Sequence, residues 1–151
     1  RTQVLDEPRK MTFSLTFHID INPIPKGRPK FAKIGDIVRT YTPKKTQDFE
    51  TEVREAAKQA MTREPLETPL AVYLYFRLPI PKSYPKKRIA ACLAGSEKPT
   101  KKPDLDNLAK SVLDSLNCIV YLDDSQIVSL HMTKVYSQHP GIDLLIREQL
   151  E

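Results

Sequence analysis

One α+β domain is the fold class this sequence predicts, and three observations carry it. Two stretches hold apolar residues at helical spacing: Phe49, Val53, Ala56, Ala57 and Ala60 within residues 42–61, and Leu105, Leu108, Val112, Leu113 and Leu116 within 104–117. Stretches rich in β-formers at 11–21, 68–78 and 126–137 alternate apolar and polar residues and read as strands on either side of those helices. No repeat, low-complexity tract or domain boundary interrupts the 151 residues, a length that suits one domain with a real core.

The elements follow in order. Residues 11–21 form a strand. "NPIPKGRPKF" has three prolines and a glycine, so it is a loop that exposes Lys26, Arg28 and Lys30. Residues 36–42 read as a short strand, the second arm of a long hairpin. A helix follows, with Thr42 as its cap and Pro43 in its first position. Residues 68–78 form the second strong strand, which "PIPKSYPKK" breaks with three prolines. "KKRIAACLAG" is a short helix ending at Gly95, and "SEKPTKKP" is a polar linker expected to be mobile. "DLDNLAKSVLDSLN" is the second long helix. "CIVYLDD" reads as extended, residues 126–137 as a strand, "HPG" as a turn and "IDLLIRE" as the last strand.

Composition excludes some classes. No run approaches the roughly 18 apolar residues of a membrane span, and no secretory hydrophobic region stands near the start. Met11 can serve as a start, which would make residues 1–10 an extension expected to be disordered, with the functional domain over 11–151. Cys92 and Cys118 have no metal-like spacing, so a reduced cytoplasmic setting is expected. The formal net charge is +5. Residues 82–102 hold seven basic residues against one acidic, a net of +6, so the rest of the chain sums to about −1. Basic character gathered in one place suits a polyanionic partner, and equally a solvated loop.

Two carboxylates, Asp104 and Asp106, open the second long helix directly after those lysines. Capping and the helix dipole account for acids at a helix start, and Lys110, four residues after Asp106, suits an ordinary ion pair. The second acidic element, "YLDDSQI", raises a different reading. A helix from Asp104 to about Leu116 rises about 18–20 Å. An extended run over 118–123 covers about 20 Å. If the chain reverses at Asn117, which can act as a C-terminal cap, the lengths cancel. Asp123 and Asp124 then return to the level of Asp104 and Asp106, beside Lys110. Such a cluster needs a cation, and oxygen ligands without His or Cys point to Mg²⁺ or Mn²⁺ rather than zinc. A calcium loop fails, because Leu108 takes the third ligand position and Ala109 the place of the obligatory glycine. A P-D…(D/E)-x-K nuclease shares only the Pro103-Asp104 opening.

"KPDLDNLAKSVLDSL" followed by "YLDDSQIVSL" resembles the RusA-type Holliday junction resolvases, and "PIPKGRPKF" and "YTPKKTQDFE" look like the versions in phage and prophage members. The resemblance spans most of residues 11–147. It implies a mixed, mostly antiparallel sheet packed with helices. It also implies a homodimeric, Mg²⁺-dependent endonuclease of bacterial or phage-infected cytoplasm, with Mn²⁺ able to substitute. Such an enzyme binds four-way DNA junctions and nicks two opposing strands, serving recombination and repair. The family's essential acids carry over to Asp104, Asp106 and Asp124, and its essential lysine to Lys110. Asp123 would neighbour the metal, and Asn107 and Asp114 would support the site from behind. The glycine that often follows the motif helix is replaced within "LNCIVY", which is expected to alter the turn and not the chemistry.

In this reading the acids hold the metal and the lysines bring phosphates to it. The expected DNA surface is Lys26, Arg28, Lys30, Lys82, Lys86, Lys87, Arg88, Lys98, Lys101 and Lys102. Phe31 and Tyr84 stand near it and suit either packing or stacking on unpaired bases. His18, His131 and His139 are expected in ordinary structural positions. Two competitors remain open from sequence: a nucleic-acid-binding module without catalysis, and a nuclease for flaps, forks or plain duplex.

Overall fold

A computed structural model of the chain describes residues 12–27 and 30–151, so the expectations for residues 1–10 and Arg28 lie outside the described residues. The strands are β1 (Ser14–Ile19), β2 (Lys30–Ile34), β3 (Ile37–Tyr41), β4 (Leu70–Pro79), β5 (Ile127–Ser137) and β6 (Gly141–Glu148). The helices are α1 (Lys44–Ala60), α2 (Lys86–Ala94) and α3 (Leu105–Ser115), with a 3₁₀ turn at Asp124–Gln126. The predicted α+β architecture is present.

Four strands form one mixed sheet in the order β1-β6-β4-β5. β6 pairs antiparallel with both β1 and β4, while β4 and β5 run parallel. Parallel neighbours need a crossover, and here it carries α2 and α3. Both ends of the segment with the motif acids are thus tied to adjacent strands.

Alternation sets the faces. Leu15, Phe17 and Ile19 of β1, Leu70, Val72, Leu74, Phe76 and Leu78 of β4, and Ile142, Leu144 and Ile146 of β6 are buried. They pack with Phe49, Val53 and Ala57 of α1 and Leu108, Val112, Leu113 and Leu116 of α3 into one core. The opposite sheet face is partly open. There the Tyr73 ring stacks on His131 at 4.6 Å, and His18 Nδ1 pairs with Asp143 at 2.7 Å.

The "NPIPKGRPKF" loop ends earlier than predicted, because Lys30 and Phe31 already belong to β2. β2 pairs with β3, the predicted strand at 36–42, through a two-residue turn in which Gly35 adopts φ 63°. This hairpin stands apart from the core, with Phe31, Ile34, Ile37, Val38 and Tyr41 exposed. At α1 the cap residue is Pro43 and not Thr42; Thr42 offers its carbonyl to Gln47 Nε2 at 3.0 Å instead. α2 ends at Gly95 as predicted, with φ 80°.

Two expectations need correction. The linker before Asp104 is held rather than loose. Lys134 of β5 donates through Nζ to the carbonyls of Lys101 at 2.9 Å and Pro103 at 3.0 Å, and Glu97 binds Arg88 at 2.7 Å. Residues 118–121 are not extended either. Cys118 takes a left-handed φ of 66°, its N–H donates to the Tyr121 carbonyl at 2.7 Å, and the chain turns compactly. Burial of Tyr121 drives this: its hydroxyl donates to the Leu113 carbonyl at 2.6 Å, pinning the turn under the helix end.

Candidate active site

α3 starts where the linker stops. Asp104 occupies the N-cap position with extended backbone, and its carbonyl accepts the Leu108 N–H at 3.1 Å. Its carboxylate makes no cap hydrogen bond. Among the described residues neither Asp104 nor Asp106 has a hydrogen-bonded or ionic partner, and both are exposed. Lys110 is exposed too and does not close the expected i,i+4 pair with Asp106 or Asp114. The ordinary explanations of these residues, capping and surface pairing, are therefore not realised.

Asp106, Lys110, Asp114 and Asn117 follow at helical spacing and share one face of α3. The second acidic element stays at the far end of that face and does not return to the level of Asp104 and Asp106, because the chain turns compactly after α3 instead of running back extended. The Asn117 side-chain carbonyl accepts the Asp124 N–H at 3.0 Å, tying the 3₁₀ turn to the end of the helix stripe. Asp124 is half-buried, while Asp123 is committed to structure. The Asp123 carboxylate accepts from Ser125 N–H at 3.1 Å, and Gln126 reciprocates by accepting the Asp123 N–H at 3.0 Å. The Ser125 hydrogen bonds hold the Asp123 carboxyl below its usual range. Burial pushes the Tyr121 hydroxyl far up, and the negative fields of Asp124, Asp114 and Asp123 add to it.

Asp114 is held from the other side. Lys26 Nζ reaches Glu50 at 2.5 Å and Asp114 at 3.5 Å, and the Lys26 N–H donates to the Asn107 carbonyl at 3.0 Å. Burial would lower the Lys26 pKa, but the hydrogen bond and charge of Glu50, with Asp114 behind them, outweigh it and raise the value. The Lys26 ammonium is thus occupied within the protein. Asn107 itself is exposed in the first turn of α3.

A cleft of about 990 Å³ opens beside the helix start. Asp104, Asn107, Lys101 and Lys102 line it with prolines and with Tyr84 and Tyr136. Lys82, Lys86, Lys87 and Lys98, close in sequence to its lining residues Ser83, Tyr84 and Pro99, are exposed. Arg88 is partly spent, since its guanidinium binds Glu97 and lies 3.7 Å over the Tyr84 ring. Lys30 stands on the β2–β3 hairpin instead.

Among the described residues no group of three or more His, Cys, Asp or Glu side chains stands assembled around an ion position. The chemistry of the available donors still suits a hard divalent cation, because Asp104, Asp106 and Asp124 offer only carboxylate oxygens, and no His or Cys lies among them.

The sequence reading missed four contributors. Lys134 points inward with Met132 and Tyr136, and a lysine at that β register was the available signal. Glu50 is buried on α1 beside Phe49 and Val53, a carboxylate on an apolar stripe. The roles of Asn117 and Tyr121 left no periodic signal.

Comparison with known proteins settles the lineage. A family model described as Endodeoxyribonuclease RusA matches residues 20–147. The chain belongs to the RusA endodeoxyribonuclease family. A relative in Bacillus subtilis (strain 168), described as uncharacterized protein YqaN, is 34% identical over 136 residues, covering 89% of this chain and 96% of its own. The RusA match encloses both acidic elements and all three helices. Among the described residues no helix is long and apolar enough to cross a membrane.

Proposed function

We propose that this protein is a Mg²⁺-dependent endonuclease that binds four-way DNA junctions and nicks two opposing strands, as a homodimer in the cytoplasm. The observation that carries the reading is the uncommitted state of Asp104 and Asp106. Two carboxylates at a helix start, behind a lysine-rich linker, have no hydrogen-bonded or ionic partner among the described residues and no structural task beyond a weak helix-dipole contact. Membership of a family of endodeoxyribonucleases supplies the reaction class.

Asp104 and Asp106 would hold the metal, with Mn²⁺ able to replace Mg²⁺. Asp124, fixed to Asn117 about 16–20 Å along α3, and its neighbour Asp123 would join them only once DNA or a second subunit brings the two acidic elements together. When bound, such an ion activates water and offsets charge on the scissile phosphate. Lys110 would face that phosphate or its water with a compact ammonium. Lys101 and Lys102 would hold the flanking backbone at the cleft, and Lys82, Lys86, Lys87 and Lys98 would extend the contact. Lys30 and Arg28 belong to the same proposed surface, Lys30 on the projecting hairpin. Lys26 and Asp114 would act from behind, keeping the helix stripe in place through Glu50. A two-fold dimer would match the symmetry of paired nicks.

The test is a nicking assay on a synthetic four-way junction, with and without Mg²⁺, beside a fork, a flap and a linear duplex. Paired symmetric nicks that need the metal are expected on the junction. Binding to every DNA without cleavage would return the acids to structure, and faster cleavage of forks or flaps would change the substrate.

A further inference from the structure

Six prolines and two tyrosines wall the cleft beside Asp104, and Lys101 and Lys102 bring the positive charge to it. We propose that this cleft receives a single unstacked nucleotide next to the scissile phosphate, and that selection of branched over duplex DNA is made there. The inference rests on the nuclease reading of Asp104 and deepens it.

Position is the first argument. Asp104 belongs both to the candidate site and to the cleft wall, so whatever fills the cleft lies within about one nucleotide of the reacting phosphate. Shape and chemistry give the second. Proline rings and tyrosines offer flat apolar surface for a base, while Lys101 and Lys102 meet its phosphates. Asn107 sits on the same wall with an exposed amide, which can both donate to and accept from a base edge. A paired duplex keeps its base faces stacked inside and offers no ring face to such a cleft.

Rigidity is the third. Arg88 lies over the Tyr84 ring at 3.7 Å, and Glu97 fixes Arg88 at 2.7 Å while accepting the Cys92 thiol at 2.8 Å. Tyr136 meets Tyr84 edge-on with ring centroids 6.4 Å apart. The aromatic wall is therefore ordered before DNA arrives, and a base stacking there loses only its own freedom. Pulling a base from intact duplex costs about as much as stacking it on an aromatic ring returns, so binding favours bases that are already unpaired. At a four-way centre continuous stacking is interrupted, so a base there is freed at lower cost than one inside a duplex.

The experiment places 2-aminopurine at successive positions around the nicked phosphate of a four-way junction and reads its fluorescence with the full-length protein in EDTA, where cleavage is stopped. A change confined to one or two positions beside that phosphate, and absent on linear duplex, is expected. Tyr84→Ala should abolish the change and reduce the junction-to-duplex affinity ratio about tenfold, while Tyr84→Phe should keep both. If Tyr84→Ala does not fold, Ser83→Trp, which fills the cleft from its rim, should lower the same ratio. Identical fluorescence in free and bound junction at every position, or a parental ratio in the folded cleft variants, overturns the proposal. A parent protein that neither binds nor nicks junctions removes the nuclease reading itself, a separate outcome visible before any cleft variant is made.

Discussion

The two ends of α3 carry the same kind of residue in opposite states. At its start Asp104 and Asp106 are exposed and have no hydrogen-bonded or ionic partner among the described residues. At its end Asp114 is paired with Lys26 and Asp123 is spent on a cap. Asp124 combines both conditions, with its N–H fixed by Asn117 and its carboxylate without a hydrogen bond among the described residues. Acid spacing in the sequence does not distinguish these cases. Commitment to other groups does, and it separates carboxylates that build the fold from those left over for chemistry.

Substitutions at the two ends should therefore fail in different ways. The largest effect is expected at the start: Asp104→Asn or Asp106→Asn should slow single-turnover junction cleavage by at least about a thousandfold, with junction affinity retained. Thermal melting should barely change, since only a dipole contact of about 0.3–1 kcal/mol is at stake. Asp123→Asn at the other end keeps a capping oxygen and should leave the cleavage rate within a few-fold of the parent. Equal loss at Asp104 and Asp123 would erase the contrast.

Lys110 comes next. As a surface lysine it would tolerate Arg or Gln, both good helix formers. Facing the reacting phosphate, either replacement should reduce cleavage about a hundredfold under saturating enzyme, with unchanged melting. A rate near the parent's would confine the site to the acids.

The third effect is on stability alone. Lys26→Met leaves buried Glu50 with only the more distant Arg54 guanidinium at 4.0 Å, which should cost about 2–3 kcal/mol in urea unfolding, less than the loss of the sole partner of a buried charge. Glu50→Gln in the same protein should recover part of that loss, and failure to recover would mean Lys26 acts through Asp114. The smallest effect is a gain. Cys118 sits at φ 66°, where a β-carbon is strained, so Cys118→Gly should stabilise by about 0.5–1 kcal/mol.

The sequence showed the strands and helices wherever burial is periodic. β4, β6, α1 and α3 alternate or repeat along their length, and their buried faces match the apolar positions. The acids and Lys110 were visible because three charged residues at one helix start are conspicuous. The turn after α3 was not, since it depends on one phenol bonding one carbonyl and on the side chain of Asn117. The ends of the linker were hidden for the same reason: Lys134 is 31 residues from Pro103 in sequence, and only the fold brings its ammonium to that carbonyl.

That grip by Lys134 has a kinetic meaning. A segment of lysines and prolines would sample many shapes if joined only at its ends, and the acids that follow it would be placed anew at each encounter with DNA. With two of its carbonyls fastened to a strand of the sheet, most of this searching ends when the protein folds. Loosening the fastening, for example by Lys134→Met, should appear as faster amide exchange through the linker and slower capture of substrate. Each catalytic event would then include a wait for the loop to find its place.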